Sequence, residues 1–152
     1  MTEMTAALVI RPVAATDFPQ WAPLWAGYNT FYKRTLPDEI TQVTWKRFFD
    51  QGVPMHALVA EQDGKLLGLV HYLFHYATAF NEPNCYLADL FTNELARGKG
   101  VGKVLIEAVY EKARAAGCSR VYWQTHETNA VAQVLYNKVA ERSGFIVYRK
   151  LF

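Results

Sequence analysis

The sequence has 152 residues, the length of one ordinary domain, with 51% apolar, 14% aromatic and 20% charged residues, which excludes a disordered or fibrous chain and permits a sizeable core. A formal charge of +2 is too small to draw in nucleic acid or an anionic membrane unless basic residues cluster locally. Cys85 and Cys118 are too few for a disulfide framework or a four-cysteine zinc site, no apolar run approaches the roughly 18 residues that span a bilayer, and the start MTEMTAALVIRP lacks a basic region followed by an apolar stretch. The expectation is a cytoplasmic protein, residues 1–152 forming a single domain.

Leu8-Val9-Ile10 before Arg11-Pro12 reads as a first strand, stopped by proline. A helix follows, with Thr16 as cap and Phe18, Trp21, Leu24, Trp25 and Tyr28 at helical spacing. A second helix starts near Pro37-Asp38-Glu39, where proline suits a first turn and acids suit the positive dipole end, and runs to Gln51-Gly52. Met55 to Ala60 and Leu66 to Phe74, joined through Asp63-Gly64, form a hairpin. Cys85 to Thr92 is apolar on both faces apart from Asp89, as a central strand would be. Apolar residues at 101, 104, 105, 108 and 109 predict a helix ended by Gly117, and Ser119 to Thr125 is the next strand, parallel to the one before the helix. A last helix begins near Asn129, and Phe145-Ile146-Val147-Tyr148 is a closing strand.

Between the buried strand and the strongly amphipathic helix stands Arg97-Gly98-Lys99-Gly100-Val101-Gly102-Lys103. Free N–H groups and a partial positive charge at the helix mouth, three glycines and three basic side chains without an acid make this an anion site. A P-loop needs glycine at 97 and Ser or Thr at 104, where Arg97 and Val104 stand. A dinucleotide fingerprint needs glycine at 103, where Lys103 stands.

The loop does fit Arg/Gln-x-x-Gly-x-Gly/Ala, and here the chain resembles the GNAT superfamily of N-acetyltransferases. Tyr86 to Thr92 resembles that family's fourth strand, Val121 to Thr125 its fifth, and Asn129 with Leu135-Tyr136 its last helix. The run Tyr122-Trp123-Gln124-Thr125 with Asn129, Ala132-Gln133 and Gly144-Phe145-Ile146 is similar to the polyamine and histone acetyltransferase branch. The resemblance implies an α/β fold (α+β in some schemes), with a mixed sheet of about six to seven strands flanked by about four helices. It also implies acetyl-CoA as cosubstrate without a metal, and a homodimer.

By resemblance, the amides of Arg97, Gly98, Lys99, Gly100, Val101, Gly102 and Lys103 hold the pyrophosphate of acetyl-CoA. A bulge near the end of the fourth strand gives backbone of Leu90, Phe91 and Thr92 to the pantetheine and acetyl carbonyl. Asn129 contacts the cofactor, and Tyr136 protonates the departing thiolate, a phenol with an ordinary pKa near 10 being a proton donor at neutral pH. The two lie seven residues apart, on nearly the same helix face. Asn129 is also readable as a helix cap and Tyr136 as a packed aromatic, neither of which excludes the functional role.

The base stays open. Related polyamine enzymes carry an acid where Ala88 stands, which leaves Asp89, His126, Glu127 or water. His71 and His75 share a strand face about 13 Å apart, beyond joint reach of one metal ion. The basic residues form one loop rather than a stripe, and the first helix is aromatic but poor in basic residues, so neither nucleic acid nor a membrane surface is an expected partner. The reading is acetyl transfer to a primary amine, a small amine or polyamine, by direct attack. The alternatives are a non-catalytic acyl-CoA-binding domain and a protein lysine or N-terminal acetyltransferase. The ring-rich first helix with Tyr72, Phe74 and Tyr76 either lines an amine pocket or forms core.

Overall fold

The computed structural model describes residues 6–152. In chain order the elements are β1 (Val9–Pro12), a 3-10 turn (Ala15–Asp17), α1 (Phe18–Phe31), α2 (Asp38–Arg47), β2 (Met55–Gln62), β3 (Lys65–His75) and β4 (Asn84–Thr92). A second 3-10 turn (Glu94–Ala96), α3 (Val101–Ala115), β5 (Arg120–Tyr122) and α4 (Ala130–Val139) complete the series. The sheet order is β1-β2-β3-β4-β5, antiparallel except for the β4–β5 pair. That parallel pair is what a strand-helix-strand crossover through α3 requires.

The β2–β3 hairpin turns at Asp63 (φ +53°) and Gly64 (φ +75°), as the Asp-Gly signal predicts. β3 is apolar over both faces because both are covered. On one face Val59 and Leu69 pack against Trp21, Leu24, Trp25, Tyr28 and Trp45 of α1 and α2. On the other, Leu58, Val70, Tyr72 and Leu87 pack against Val101, Leu105, Ile106 and Val109 of α3. The aromatic residues of α1 are therefore largely core: Trp21 is fully buried, Trp25 and Tyr28 nearly so.

Several boundaries differ from the sequence expectation. Thr16 lies inside the first 3-10 turn instead of capping α1, and Asp17 accepts from Arg11 Nη1 and Nη2 at 2.7 and 2.9 Å and from the Ala14 amide at 2.7 Å. The first and second helices are otherwise where periodicity put them, α2 being shorter and starting just after Pro37. The sheet has five strands instead of six to seven, because Phe145–Tyr148 joins no ladder among the described residues. β5 ends at Tyr122 rather than Thr125.

Candidate functional site

The strands β4 and β5 pair only at Asn84–Arg120, Cys85–Val121 and Tyr86–Tyr122. Beyond that point β4 continues to Thr92 while β5 has ended, so the β5-facing side of β4 is unpaired from Leu87 onward among the described residues. Unpaired backbone needs other partners. This opening is bounded by β4, the residues after β5 and the N-terminus of α3.

A bulge reshapes β4 just there. Tyr72 pairs with Leu87 and His71 with Asp89, leaving Ala88 without a partner on β3. The extra residue breaks the two-residue alternation. Leu87 stays in the core facing α3, whereas Asp89 turns toward α1 and its carboxylate meets His71. Leu90, Phe91 and Thr92, the residues expected to bulge, instead pair regularly with Val70, Leu69 and Gly68. All three are half-buried along the open side.

At the mouth of α3, Gly98 (φ +79°) and Gly100 (φ +78°) take the left-handed conformation, Gly100 as the N-cap, with open space where a side chain would project. The first helical bond runs from the Val104 amide to the Gly100 carbonyl, so the Val101, Gly102 and Lys103 amides precede the helix ladder. Val101 is buried in the core. A Cβ on Gly102 would stand 3.4 Å from Leu135 Cδ2, so its size also sets how closely α3 meets α4. Arg97, Lys99 and Lys103 are exposed around the mouth; Arg97 donates to the Thr92 carbonyl at 3.3 Å and lies over the Phe91 ring. This cradle of amides and cations suits a phosphate-bearing group such as the pyrophosphate of CoA.

Asn129 caps α4, its Oδ1 accepting the Ala132 amide at 3.4 Å. Tyr136 packs edge-on against Trp123 and half-buried against the α3 core. Burial, with Tyr32 nearby, raises the Tyr136 pKa, which holds the phenol protonated. His126 and Glu127 are exposed on the turn before α4, where their carbonyls accept from Gln133 Nε2. The Glu127 carboxylate forms no ion pair among the described residues.

Asp89 is held differently. Its Oδ2 lies 2.9 Å from His71 Nδ1, and His71 Nε2 accepts from Trp21 Nε1 at 3.1 Å. An indole nitrogen only donates, so the Nε2 lone pair is committed and the His71 proton sits on Nδ1, donated to Asp89. His71 is 2% exposed, while the Asp89 side chain keeps 17% of its surface open. Around that carboxylate stand Tyr28 and Tyr86, each with a raised pKa, from burial first and then from the Asp89 charge. The Tyr32 ring adjoins Tyr28 with centroids 4.9 Å apart, and Tyr122 adjoins Tyr86 at 5.1 Å. The result is a carboxylate floor within phenol walls.

Of the sequence-derived residues, the structure groups Arg97–Lys103 at one helix mouth, pairs Asp89 with His71 and packs Tyr136 against Trp123. Glu127 lies exposed on the turn before α4. Sequence reasoning missed the meeting of His71 with Trp21 and Asp89: it weighs His71 only as a metal ligand with His75, which instead meets the Tyr122 hydroxyl at 2.7 Å. The available signal was a histidine in an otherwise apolar strand, since such a residue needs buried partners.

Residues 20–140 match the acetyltransferase (GNAT) family. The chain is 37% identical over 145 residues to the D-amino-acid N-acetyltransferase HPA3 of Saccharomyces cerevisiae, covering 94% of this chain and 90% of that protein. It is 31% identical over 102 residues to a thialysine N-epsilon-acetyltransferase of Sus scrofa, covering 62% and 59%. Its fold is that of the aminoglycoside N-acetyltransferase AAC(6')-Iy solved in complex with CoA, with a TM-score of 0.83 over 99% of both chains at 22% identity. The phosphate-suited helix mouth, the opened β4 edge and these likenesses agree: the chain belongs to the GNAT acetyltransferase family and is an N-acetyltransferase.

Proposed function

We propose that the enzyme, one domain over the whole chain, moves the acetyl group of acetyl-CoA to the primary amine of a small cationic acceptor, an alkylamine or polyamine, by direct attack. The observation that carries the acceptor class is the Asp89 carboxylate, fixed by His71 and ringed by Tyr28 and Tyr86, where an ammonium finds both a counter-charge and ring faces.

Acetyl-CoA supplies an activated thioester carbonyl. Amides from Arg97 to Lys103 bind its pyrophosphate, and the open side of β4 at Leu90, Phe91 and Thr92 orients the pantetheine and polarises the carbonyl. Asn129 steadies the same arm from its cap position. An alkylamine with pKa near 10 arrives protonated, so a proton must leave before attack. Asp89 anchors the ammonium and accepts that proton directly or through water, with Glu127 as the alternative acceptor. The nitrogen lone pair then forms the C–N bond as the C–S bond breaks, the nitrogen gives up its second proton to water, and Tyr136 gives its proton to the departing thiolate and regains one from solvent.

A second acceptor, an amino acid, is favoured by Arg34, whose guanidinium lies over the Tyr28 and Tyr32 rings at 5.6 and 5.8 Å and offers a carboxylate partner beside the ammonium site. The name of the yeast relative points the same way. Release of free CoA is measured with spermidine, putrescine, simple alkyl- and arylamines, D- and L-amino acids and a lysine peptide. Turnover on the amines supports the first reading, and turnover confined to amino acids supports the second. Acetylation of the peptide alone overturns both. The same proposal takes in a cytoplasmic location and a homodimer.

A further inference from the structure

His71 is an unusual residue for its place. It faces α1 from within β3, 2% exposed, with the rings of Trp21, Trp25 and Phe48 centred 5.9, 5.0 and 4.8 Å from its own. Leu69, two residues back on the same face, is the apolar kind of residue that such a site ordinarily takes. A buried imidazole needs partners for both ring nitrogens, and here Asp89 and Trp21 supply them. A leucine at 71 would fill this face with no buried polar group to satisfy, so packing does not account for the histidine.

The irregularity of the sheet falls at the same point. The register shift between β3 and β4 lies at His71 and Tyr72, and the extra residue, Ala88, is what turns Asp89 to the α1 face. A bulge in one strand and a buried polar ring in the next thus meet at one carboxylate. The neutral ring has two tautomers, and only the one with its proton on Nδ1 bonds both neighbours. The other would set the Nε2 proton against the indole N–H and the Nδ1 lone pair against the carboxylate. Trp21 Nε1, which can only donate, therefore selects, across two hydrogen bonds, the proton that Asp89 receives.

We infer that His71 is a positioning residue of the acceptor site, acting through Asp89, and that Trp21 sets the tautomer in which it acts. The inference rests on the reading of Asp89 as the group that receives the acceptor ammonium. Held by an N–H from the β3 side, the carboxylate keeps one orientation while the acceptor arrives and leaves. Loss of that N–H would let it turn, and misplacing an anchoring or proton-accepting group by about 1 Å can cost about 100-fold in rate.

The test separates the two bonds of the imidazole. His71→Asn places an amide N–H near the Nδ1 position and nothing at Nε2, whereas His71→Gln places an amide near the Nε2 position, toward Trp21, and nothing at Nδ1. For each, kcat/KM is measured with the fastest acceptor among spermidine, putrescine, simple alkylamines and amino acids, beside the acetyl-CoA KM and with Asp89→Asn as reference. His71→Gln should lose about 10- to 100-fold in acceptor kcat/KM at an unchanged acetyl-CoA KM, and His71→Asn should restore most of that loss. Added to Asp89→Asn, His71→Gln should cost little more, because both act on one group. Imidazole 15N spectra of the wild-type protein, which need no variant to fold, should show the proton on Nδ1 alone. A proton on Nε2 or on both nitrogens overturns the inference, as does His71→Gln with wild-type kinetics or His71→Asn as impaired as His71→Gln. With Asp89→Asn impaired, each of these leaves the acceptor reading standing, whereas wild-type acceptor kinetics in Asp89→Asn overturn that reading and this inference together.

Discussion

His71 and Asp89 are register partners across β3 and β4, joined at 2.9 Å only because the bulge at Ala88 turns Asp89 to the α1 face. With Trp21 holding the far nitrogen, the imidazole is a fixed donor to one carboxylate oxygen. Asp89→Asn keeps the shape and the His71 bond but removes the charge. It should lower kcat/KM for the amine by about 10- to 100-fold. Unchanged kinetics would leave Asp89 a structural residue and move the role to Glu127, to be read from kcat/KM of Glu127→Gln.

Gly100 is the backbone hinge of the anion cradle. Valine at φ +78° is strained by about 1 to 2 kcal/mol, and its branches would enter the open space at the helix mouth that is proposed for the phosphates. Gly100→Val should therefore raise the acetyl-CoA KM at least about tenfold with a modest loss of thermal stability. Calorimetric titration with CoA checks it, and wild-type affinity in a folded variant would remove the loop from the cofactor site. Gly102→Val is a poorer probe, since it also presses on Leu135 of α4.

The order of elements, the Asp63-Gly64 hairpin, the helix of residues 101–115 and the parallel crossover were legible because each has a local signal: a turn pair, a periodicity, a glycine stop. The glycine turn at the mouth of α3 was legible for the same reason. The bulge at Ala88 was not, because one inserted residue leaves the apolar pattern of Cys85 to Thr92 unaltered, and so the facing of Asp89 and its meeting with His71 and Trp21 stayed hidden. Phe145–Tyr148 has strand composition, but composition alone does not supply a ladder partner, and the segment joins none among the described residues.

Tyr136 combines two properties that an acid for a thiolate needs: burial raises its pKa, so the proton is present at neutral pH, and packing on Trp123 fixes the ring. Tyr136→Phe keeps the packing and removes only the hydroxyl. The expected result is a fall in kcat of about 100-fold with little change in acetyl-CoA affinity and unaltered thermal stability. Stopped-flow or steady-state CoA release at saturating amine provides the measurement, and wild-type kcat would confine the tyrosine to packing.

Arg11 and Asp17 tie β1 to the start of α1, a link remote from the cleft and therefore readable as stability alone. The Asp17 side chain is 8% exposed and accepts two guanidinium bonds and the Ala14 amide, while Arg11 also pairs with Glu61 at 2.6 Å. The Arg11 hydrogen bond lowers the Asp17 pKa, outweighing the opposing effect of burial. A carboxylate with a depressed folded pKa stabilises the protein fully above its unfolded value, near 3.9, and the contribution disappears as pH falls through the folded value. Asp17→Asn should thus cost about 1 to 3 kcal/mol at pH 7, the range for hydrogen bonds to charged groups, with Arg11 keeping Glu61 as partner. Denaturant unfolding of both proteins at pH 7, 5, 4 and 3 reads the difference. The gap should be constant between pH 7 and 5 and narrow below pH 4; a gap that stays constant down to pH 3, or widens there, would show that the ionised carboxylate is not what holds β1 to α1.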